Sequence, residues 1–413
     1  MNSSAAQKLP LPSQPNLKAT LSSRLAEMAE HCTGCGLCVR ECSFLQSYGN
    51  PKALAESFDP ADGSCLTRPY ECSLCELCHA VCPHGLNPAA LFLEMRREAF
   101  RRTGELAEHR VLRNYERRGT SAHYSWYALP ENCDTIFFPG CALTGSRPRV
   151  TLQTYEHLRA NTPNLGIVLD CCSKPSHDLG DQSYFNAMFA EMTDWLERHG
   201  ITKVLVACPN CQKIFSQYAP CLETRSVYEV LQTLPVTPEA SDAPRISLHD
   251  PCVSRFFGAT QAAARTLLEQ QGFTISEPKH SGRRTLCCGE GGAVGCVNPE
   301  RAASWTERTL DATGKQPLVS YCAACTQKLG RNKRLPANHL LDLLFDRERA
   351  LSGHSQAAKA PLTYFNRLKV KRYVRRNVPA VINRERRFQA GPAAAQGTLI
   401  KKLALLLLLG HCS

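Results

Sequence analysis

Hydrophobic residues follow a helical period in the first part of the chain. Residues 21–31 predict a short helix, and Asn87 followed by Pro88 predicts the start of a longer one. In both segments the apolar residues recur every three or four positions on one face: Leu21, Leu25 and Met28, then Leu91, Phe92, Met95 and Ala99. The stretch 117–130 is rich in small and aromatic residues, which predicts an interdomain linker.

From residue 134 the pattern changes to short apolar runs that alternate with helical stretches. The predicted strands are DTIFFPG, LGIVLD, KVLVAC, RISLHD, FTISEP and PLVSYC, and the predicted helices are 148–160, 183–199, 259–271 and 299–313. Such alternation is typical of parallel α/β packing. The pattern occurs twice with a period of about 111 to 116 residues, measured from Cys141 to Cys252 and from Cys171 to Cys287. It therefore predicts two βαβαβ units with parallel sheets.

Charge is concentrated at the end of the chain. Of the formal net charge of +12, residues 361–413 contribute 11 Lys and Arg against one acid, Glu385. This is a basic tail and not a basic chain, and no nucleic-acid-binding motif accompanies it, so we expect no nucleic-acid partner. The apolar run 403–409 is shorter than the roughly 20 residues that span a bilayer. The tail could dock on an anionic membrane or a membrane partner, be a disordered extension, or be the cut end of a membrane segment.

Two cysteine runs near the N-terminus have the spacing C-x₂-C-x₂-C-x₃-C. The first run supplies Cys32, Cys35, Cys38 and Cys42, and the second supplies Cys72, Cys75, Cys78 and Cys82. This is the spacing of bacterial two-cluster ferredoxins, in which the fourth cysteine of each run binds the cluster of the other run. Pro83 fits the end of that motif, whereas Ser43 departs from it. The runs predict two [4Fe-4S] clusters.

Zinc sites and disulfides fit these runs less well. A structural zinc site normally uses two separated C-x₂-C pairs, so four cysteines in one short run, repeated forty residues on, favour iron–sulfur. The total of 23 cysteines is odd, and no apolar secretory segment precedes residue 20. We therefore expect a cytoplasmic protein with a disordered leader, able to lie on the inner face of the cell membrane through its tail.

A second cysteine pattern follows the predicted strands of each repeat. One copy comprises Cys141, Cys171, Cys172, Cys208 and Cys211, and the other comprises Cys252, Cys287, Cys288, Cys322 and Cys325. The carboxyl ends of parallel strands lie at one edge of a sheet, so five sulfurs could converge there in each copy. Buried core cysteines are the alternative, but they would not be expected to recur in the same order twice.

At these residues the chain resembles the CCG-domain (cysteine-rich domain) iron–sulfur proteins. The order of a ferredoxin domain and two CCG domains is similar to the D-type heterodisulfide reductase subunit and to the iron–sulfur subunits of glycolate oxidase and anaerobic glycerol-3-phosphate dehydrogenase. The resemblance implies that each five-cysteine set holds a further, noncubane [4Fe-4S] cluster. One copy reads Cys171-Cys172-Ser173 in place of CCG, which puts the geometry of that site in question because Gly tolerates positive φ.

The predicted fold class is α+β overall, with a small helical ferredoxin-like domain followed by two α/β CCG domains. The predicted segments are a leader 1–20, a ferredoxin-type domain 21–116, a linker 117–133, CCG domains 134–240 and 241–345, and a basic tail 346–413 with a short apolar end.

Two functions remain open from the sequence. The first is an electron-transfer subunit that works between a flavoprotein dehydrogenase and a quinone, cytochrome or ferredoxin. The second is a catalytic subunit that reduces a disulfide at the noncubane clusters, with Cys287 and Cys288 as candidates because they lie in the intact CCGEGG loop. A zinc protein without redox activity is a third and weaker interpretation. No G-x-G-x-x-G follows a strand, so no dinucleotide site is evident.

Overall fold

The structure is a computed structural model that describes residues 17–235, 244–355 and 357–390. Most of the predicted leader and the apolar run 403–409 lie outside these residues. None of the helices within the described ranges is long and apolar enough to cross a membrane.

The N-terminal part is helical. Its helices are α1 (Ala19–His31), α2 (Leu37–Glu41), α3 (Ser43–Tyr48), α4 (Pro51–Glu56), α5 (Gly63–Thr67), α6 (Leu77–Ala80), α7 (Pro88–Thr103) and α8 (Arg110–Gly119). Helix α1 buries Leu21, Leu25 and Met28 against α4 and α7, as its period predicts. Helix α7 begins where predicted, since the Asn87 side chain accepts a hydrogen bond from the N–H of Ala90.

The middle of the chain forms the first α/β unit. Its elements are β1 (Trp126–Leu129), β2 (Thr135–Phe138), α9 (Cys141–Ser146), α10 (Pro148–Asn161), β3 (Gly166–Leu169), α11 (Lys174–Asp178), α12 (Gln182–Arg198), β4 (Lys203–Val206), α13 (Pro209–Tyr218), β5 (Glu223–Ser226) and α14 (Val227–Leu231). Strands β3, β2, β4 and β5 are parallel neighbours in that order. All of β2 and β3 is buried, which explains their continuous apolar runs.

The second α/β unit repeats this plan in a smaller sheet. Its elements are β6 (Arg245–His249), α15 (Gly258–Gln270), β7 (Thr274–Ser276), α16 (Val294–Val297), α17 (Pro299–Thr313), β8 (Leu318–Ser320), α18 (Ala323–Gly330), β9 (Ala337–His339) and α19 (Leu340–Phe345). The strand order is β7-β6-β8-β9, and every pair is parallel. The predicted parallel α/β units after a helical domain are therefore confirmed.

Two predicted segments differ in the structure. The linker 117–133 contains β1, which pairs antiparallel with β3 and buries Tyr127, Ala128 and Leu129 in the sheet. The basic tail 346–413 is folded over its described part, with α20 (Arg347–Leu351), α21 (Leu362–Asn377) and β10 (Ile382–Arg384). Strand β10 extends the first sheet beyond β1, also antiparallel.

Helix α21 explains why composition misled the prediction of the tail. Its many cations surround a buried stripe in which Val370 and Val374 are fully buried, four residues apart. The helix packs on α9 and α10, and the Asn366 amide donates a hydrogen bond to the carbonyl of Gly145 at 2.9 Å. The C-terminal segment is therefore part of the first α/β unit.

Candidate metal centres

The first five-cysteine set lies at the carboxyl edge of the first sheet. Cys141 begins α9 directly after β2, Cys171 and Cys172 follow β3, and Cys208 precedes α13 at the end of β4. Cys211 lies in the first turn of α13. Because β3, β2 and β4 are neighbours in the sheet, their ends bring all five residues together.

The thiols of this set are in contact with one another. The Sγ atoms of Cys141 and Cys171 are 3.6 Å apart, and hydrogen bonds continue from Cys171 to Cys172, then to Cys211 and Cys208. Gly140 makes room for them: a Cβ there would lie 3.1 Å from Sγ of Cys211, and its φ is +78°. The structure thus brings the predicted five sulfurs into one group.

The second set has the same arrangement at the edge of the second sheet. Cys252 follows β6, Cys322 precedes α18 after β8, and Cys325 lies within α18. The pair Cys287 and Cys288 is eleven residues beyond the end of β7, farther from its strand than the pair of the first set. Contacts run from Cys252 through Cys287, Cys288 and Cys325 to Cys322.

The residue after each cysteine pair has a positive φ. Ser173 has φ +56°, and its hydroxyl is buried without a hydrogen-bond partner among the described residues. Gly289 has φ +92°, and a Cβ there would lie 2.3 Å from the carbonyl oxygen of Ala302. The second site therefore requires Gly for both conformation and space, whereas the first accepts Ser in the left-handed conformation.

The eight N-terminal cysteines form two groups that cross between the runs. The outer group comprises Cys32, Cys35, Cys38 and Cys82, and the inner group comprises Cys42, Cys72, Cys75 and Cys78. In the outer group, burial and then the charges of Cys32, Cys35 and Cys82 raise the pKa of Cys38 to about 11. In the inner group, burial and then the charges of Cys72, Cys75 and Cys42 raise the pKa of Cys78. The fourth cysteine of each run thus joins the other run's group.

The inner group lies against the second five-cysteine set. Burial, followed by the charge of Cys287, raises the pKa of Cys75. Gly291 lies between the two groups, since a Cβ on it would be 2.6 Å from the carbonyl oxygen of Ser73 and 3.2 Å from Sγ of Cys287. The two groups therefore share one contact region.

The two five-cysteine sets are also neighbours. The hydroxyl of Tyr228 lies 3.3 Å from the carbonyl oxygen of Ala207 and 3.1 Å from that of Tyr321, the residues that precede Cys208 and Cys322.

The ammonium group of Lys174 lies near both Cys172 and Cys252, and it donates a hydrogen bond to Asp178 at 2.6 Å. Because the charge of Cys38 in the outer group also acts on Cys78 in the inner group, the four groups form one succession: outer, inner, second set, first set.

The donor atoms fit iron–sulfur clusters better than single ions. Over the ranges that the structure describes, no three His, Cys, Asp or Glu side chains are arranged to hold one metal ion. In a [4Fe-4S] cluster the thiolates are spread over four iron atoms, so the sulfurs need not converge on a point. All four groups consist of thiols, the soft ligands that iron–sulfur clusters take.

Several residues near these groups were not singled out by the sequence. Arg96, Arg255, Lys174 and Tyr228 all approach cysteines, yet no spacing in the sequence marks them. Of the histidines near the cysteine arrays, His177 forms hydrogen bonds with Asp178 and Tyr218. The cysteines outside the four groups are Cys65 and Cys133, which are buried, and Cys221 and Cys296, which are exposed; Cys412 lies outside the described residues.

Comparison with known families identifies both kinds of cysteine pattern. Residues 31–87 match the family described as 4Fe-4S dicluster domain. Residues 135–216 and 246–330 each match the family described as cysteine-rich domain, CCG. The first matched range lies within the helical N-terminal part, and the other two lie within the two α/β units.

Three curated proteins illustrate what the chain is similar to. A fumarate reductase (CoM/CoB) subunit of Methanothermobacter marburgensis is 24% identical over 334 residues, covering 71% of this chain and 66% of that protein. A dihydromethanophenazine:CoB–CoM heterodisulfide reductase subunit of Methanosarcina mazei is 23% identical over 384 residues, covering 78% and 93%. EtfAB:quinone oxidoreductase of Syntrophomonas wolfei is 21% identical over 281 residues, covering 58% and 39%.

Proposed function

Because the chain belongs to the family of iron–sulfur oxidoreductase subunits that join a dicluster ferredoxin domain to two CCG domains, we propose that it conducts electrons through four clusters. The donor would be a flavoprotein dehydrogenase and the acceptor a quinone, cytochrome or ferredoxin. The observation that carries the proposal is the unbroken succession of four thiol groups from the exposed Cys35 to the first five-cysteine set.

The ligands follow from the groups. The outer and inner groups would each hold a cubane [4Fe-4S] cluster, and the two five-cysteine sets would each hold a noncubane one. Each cluster, when bound, accepts and donates one electron. The chain supplies the thiolates. It buries the inner group and the two five-cysteine sets more deeply than the outer group. Gly291 and Tyr228 lie where neighbouring groups meet.

A second function is favoured by the contact between the two five-cysteine sets. With Lys174 lying near both Cys172 and Cys252, a disulfide placed there could receive two electrons, one from each set, and two protons to give two thiols. Two of the similar proteins carry CoM and CoB in their names. A disulfide reductase is therefore the alternative, and its candidate site residues Cys287 and Cys288 belong to the same set as Cys252, which contacts Cys287.

Substitution of Cys288 separates the two functions. We expect anaerobic Cys288→Ala protein to keep reducible ferredoxin-type clusters, and the exposed Cys296→Ala to serve as its control. For the reductase, the CoM–CoB disulfide and cystine should perturb the EPR signal of the wild-type protein, and Cys288→Ala should abolish thiol release. For the electron carrier, these disulfides should leave the signal unchanged while a reduced flavoprotein reduces all clusters. Stoichiometric zinc in place of iron would overturn both.

We also propose peripheral contact with the inner face of an anionic membrane. The described part of the basic segment exposes Lys369, Arg372 and Arg376 along one side of α21, with the exposed Leu362 and Phe365 at its start. Cations beside exposed apolar side chains suit a surface of anionic lipid. This supports a location for electron delivery to a quinone or membrane cytochrome.

A further inference from the structure

Two buried arginines touch the backbone of the inner cysteine group. Arg96 is fully buried and Arg255 is 2% exposed. Arg96 donates a hydrogen bond to the carbonyl of Cys72 at 2.5 Å, and Nε of Arg255 donates one to the carbonyl of Cys75 at 3.0 Å. One guanidinium group thus lies at each end of the Cys72–Cys75 loop.

Neither guanidinium group has a carboxylate partner in the part of the chain that the structure describes. The other acceptors of Arg96 are the carbonyls of Pro69, Tyr70, Asp178 and Gly292, and those of Arg255 are the carbonyls of Arg283 and Thr285. The carboxylate of Asp178 interacts with Arg96 at longer range, but Lys174 is hydrogen-bonded to it at 2.6 Å.

Burying two unpaired positive charges is costly, so a negative charge is expected beside them. The four thiolates of the inner group, with a bound cluster, supply that charge, and reduction by one electron adds to it. Two fixed cations at this position therefore favour the reduced form.

Within the ranges that the structure describes, no buried arginine or lysine is hydrogen-bonded to the outer group. Cys35 is exposed, and the charged groups that raise the pKa of Cys38, after burial, are the thiols of Cys32, Cys35 and Cys82. Burial alone would make the inner group the harder one to reduce, because a low dielectric disfavours added charge. The arginines act against that effect.

We propose that Arg96 and Arg255 are positioning residues that raise the reduction potential at the inner group, so that an electron entering at the outer group is drawn towards the second five-cysteine set. In this step one electron leaves the outer group and one arrives at the inner group, and no bond or proton changes place. The inference rests on the proposed function only for the presence of clusters in both groups. It goes beyond that function by giving the electron a direction.

A potentiometric titration followed by EPR tests the assignment on the full-length protein purified anaerobically. The variants are Arg96→Gln, Arg96→Lys, Arg255→Gln and Arg255→Lys. The control is Arg284→Gln, because the Arg284 side chain is 64% exposed and pairs with Glu41 beside Cys42 at 3.2 Å. Solvent screens the charge of Arg284, so its removal should change the reduction potential of the inner group little.

We expect each Gln variant to shift the reduction equilibrium of the inner group about tenfold towards the oxidised form, or about 59 mV for a one-electron couple. Each Lys variant should stay near wild type, and the outer group should not shift. If a Gln variant loses the inner cluster while its Lys counterpart keeps it at the wild-type potential, the requirement for charge is upheld.

The proposal is overturned if Gln and Lys variants behave alike, whether both keep the wild-type potential, both shift, or both lose the cluster. That result would assign the arginines to packing alone. Absence of the clusters, the one part of the proposed function on which this proposal rests, gives a different result, since wild-type protein would then contain no reducible iron.

Discussion

Arg386 and Asp170 form an ion pair in which both side chains are fully buried, with Nη1 of the arginine 3.1 Å from Oδ2 of the carboxylate. The other oxygen of Asp170 accepts a hydrogen bond from the N–H of Cys171 at 2.7 Å. The C-terminal segment therefore holds the loop that carries the cysteine pair of the first set. A segment with the composition of a solvated tail is thus a structural support of a candidate metal centre.

Arg386→Leu should destabilise this region by about 3–5 kcal/mol, because it leaves the Asp170 carboxylate buried without its partner. Amide hydrogen exchange in β1 and β3 measures the change locally, which suits a protein of several domains. The neighbouring Arg387 is exposed, so Arg387→Leu should stay within about 0.5 kcal/mol of wild type. Equal exchange rates in the two variants would show that the pair does not support the loop.

Much of the architecture could be predicted from the sequence because it depends on local patterns. The helix at 299–313 has the predicted bounds, and the strands before Cys141 and Cys208 lie where their apolar runs place them. These features follow from side-chain periodicity and from cap residues such as Asn298.

The remainder depends on contacts between residues far apart in sequence. Strand β10 pairs with β1 across some 250 residues, and a cationic stretch that contains it resembles a solvated tail in composition. Arg96 reaches carbonyls of residues 178 and 292, so nothing near it in the sequence indicates its role. The succession of the four cysteine groups likewise arises only when the units pack together.

The two cysteine-pair loops should respond oppositely to substitution. Gly289→Ala should destabilise the second site by about 2–5 kcal/mol, combining about 1–3 for overpacking against Ala302 and about 1–2 for a left-handed non-glycine residue. Ser173→Gly should be neutral or stabilising by up to about 1 kcal/mol, since it removes the left-handed cost but loosens the unfolded chain. Thermal unfolding and iron content of both variants measure these effects. A Gly289→Ala variant with wild-type stability and iron content would contradict the close approach of position 289 to Ala302.

The folded protein should lose stability as the pH falls below neutral, because His109 is buried in its neutral form. Burial lowers the pKa of His109 from the ordinary 6.5 to about 4. The charge of Arg96 also lowers this pKa, whereas that of Glu108 raises it. The neutral ring is thus favoured in the folded protein, and its contribution is present above pH 6.5 and lost as pH falls towards 4. The loss should be about 1–2 kcal/mol, allowing for partial solvent screening.

Comparing unfolding midpoints of wild type and His109→Gln at about pH 7.5 and about pH 5.0 isolates this contribution. The wild-type protein should lose more stability than the variant between the two values. His354, an exposed histidine, provides the matched control, and His354→Gln should follow wild type. Parallel losses in wild type and His109→Gln would exclude His109 as the cause.

Binding to anionic vesicles should depend on the exposed cations of α21. Replacing Lys369, Arg372 and Arg376 together by Gln should weaken binding by about 1 kcal/mol per residue removed, and high salt should weaken the wild type similarly. Co-sedimentation with phosphatidylserine vesicles measures it. The control replaces Arg198, Lys203 and Arg225, three exposed cations, of which the last two lie on neighbouring strands at the opposite end of the first sheet. Equal loss of vesicle binding in both triple variants would show that binding depends on net charge alone and not on the cations of α21.

Iron content should report the two five-cysteine sets separately. If every group holds a [4Fe-4S] cluster, the protein contains about 16 iron atoms with matching acid-labile sulfide. Cys141→Ala or Cys252→Ala should remove up to about 4 of them, because each thiol contacts the pair of its own set and would be a ligand of that set's cluster alone.

The exposed Cys221 and Cys296 lie outside the groups, so Cys221→Ser and Cys296→Ser should keep the full iron content and serve as controls. A wild-type content of about 8 iron atoms would restrict clusters to the ferredoxin-type groups. In that case Cys141→Ala and Cys252→Ala would lose no iron, and the two five-cysteine sets would have to be regarded as thiol clusters without metal.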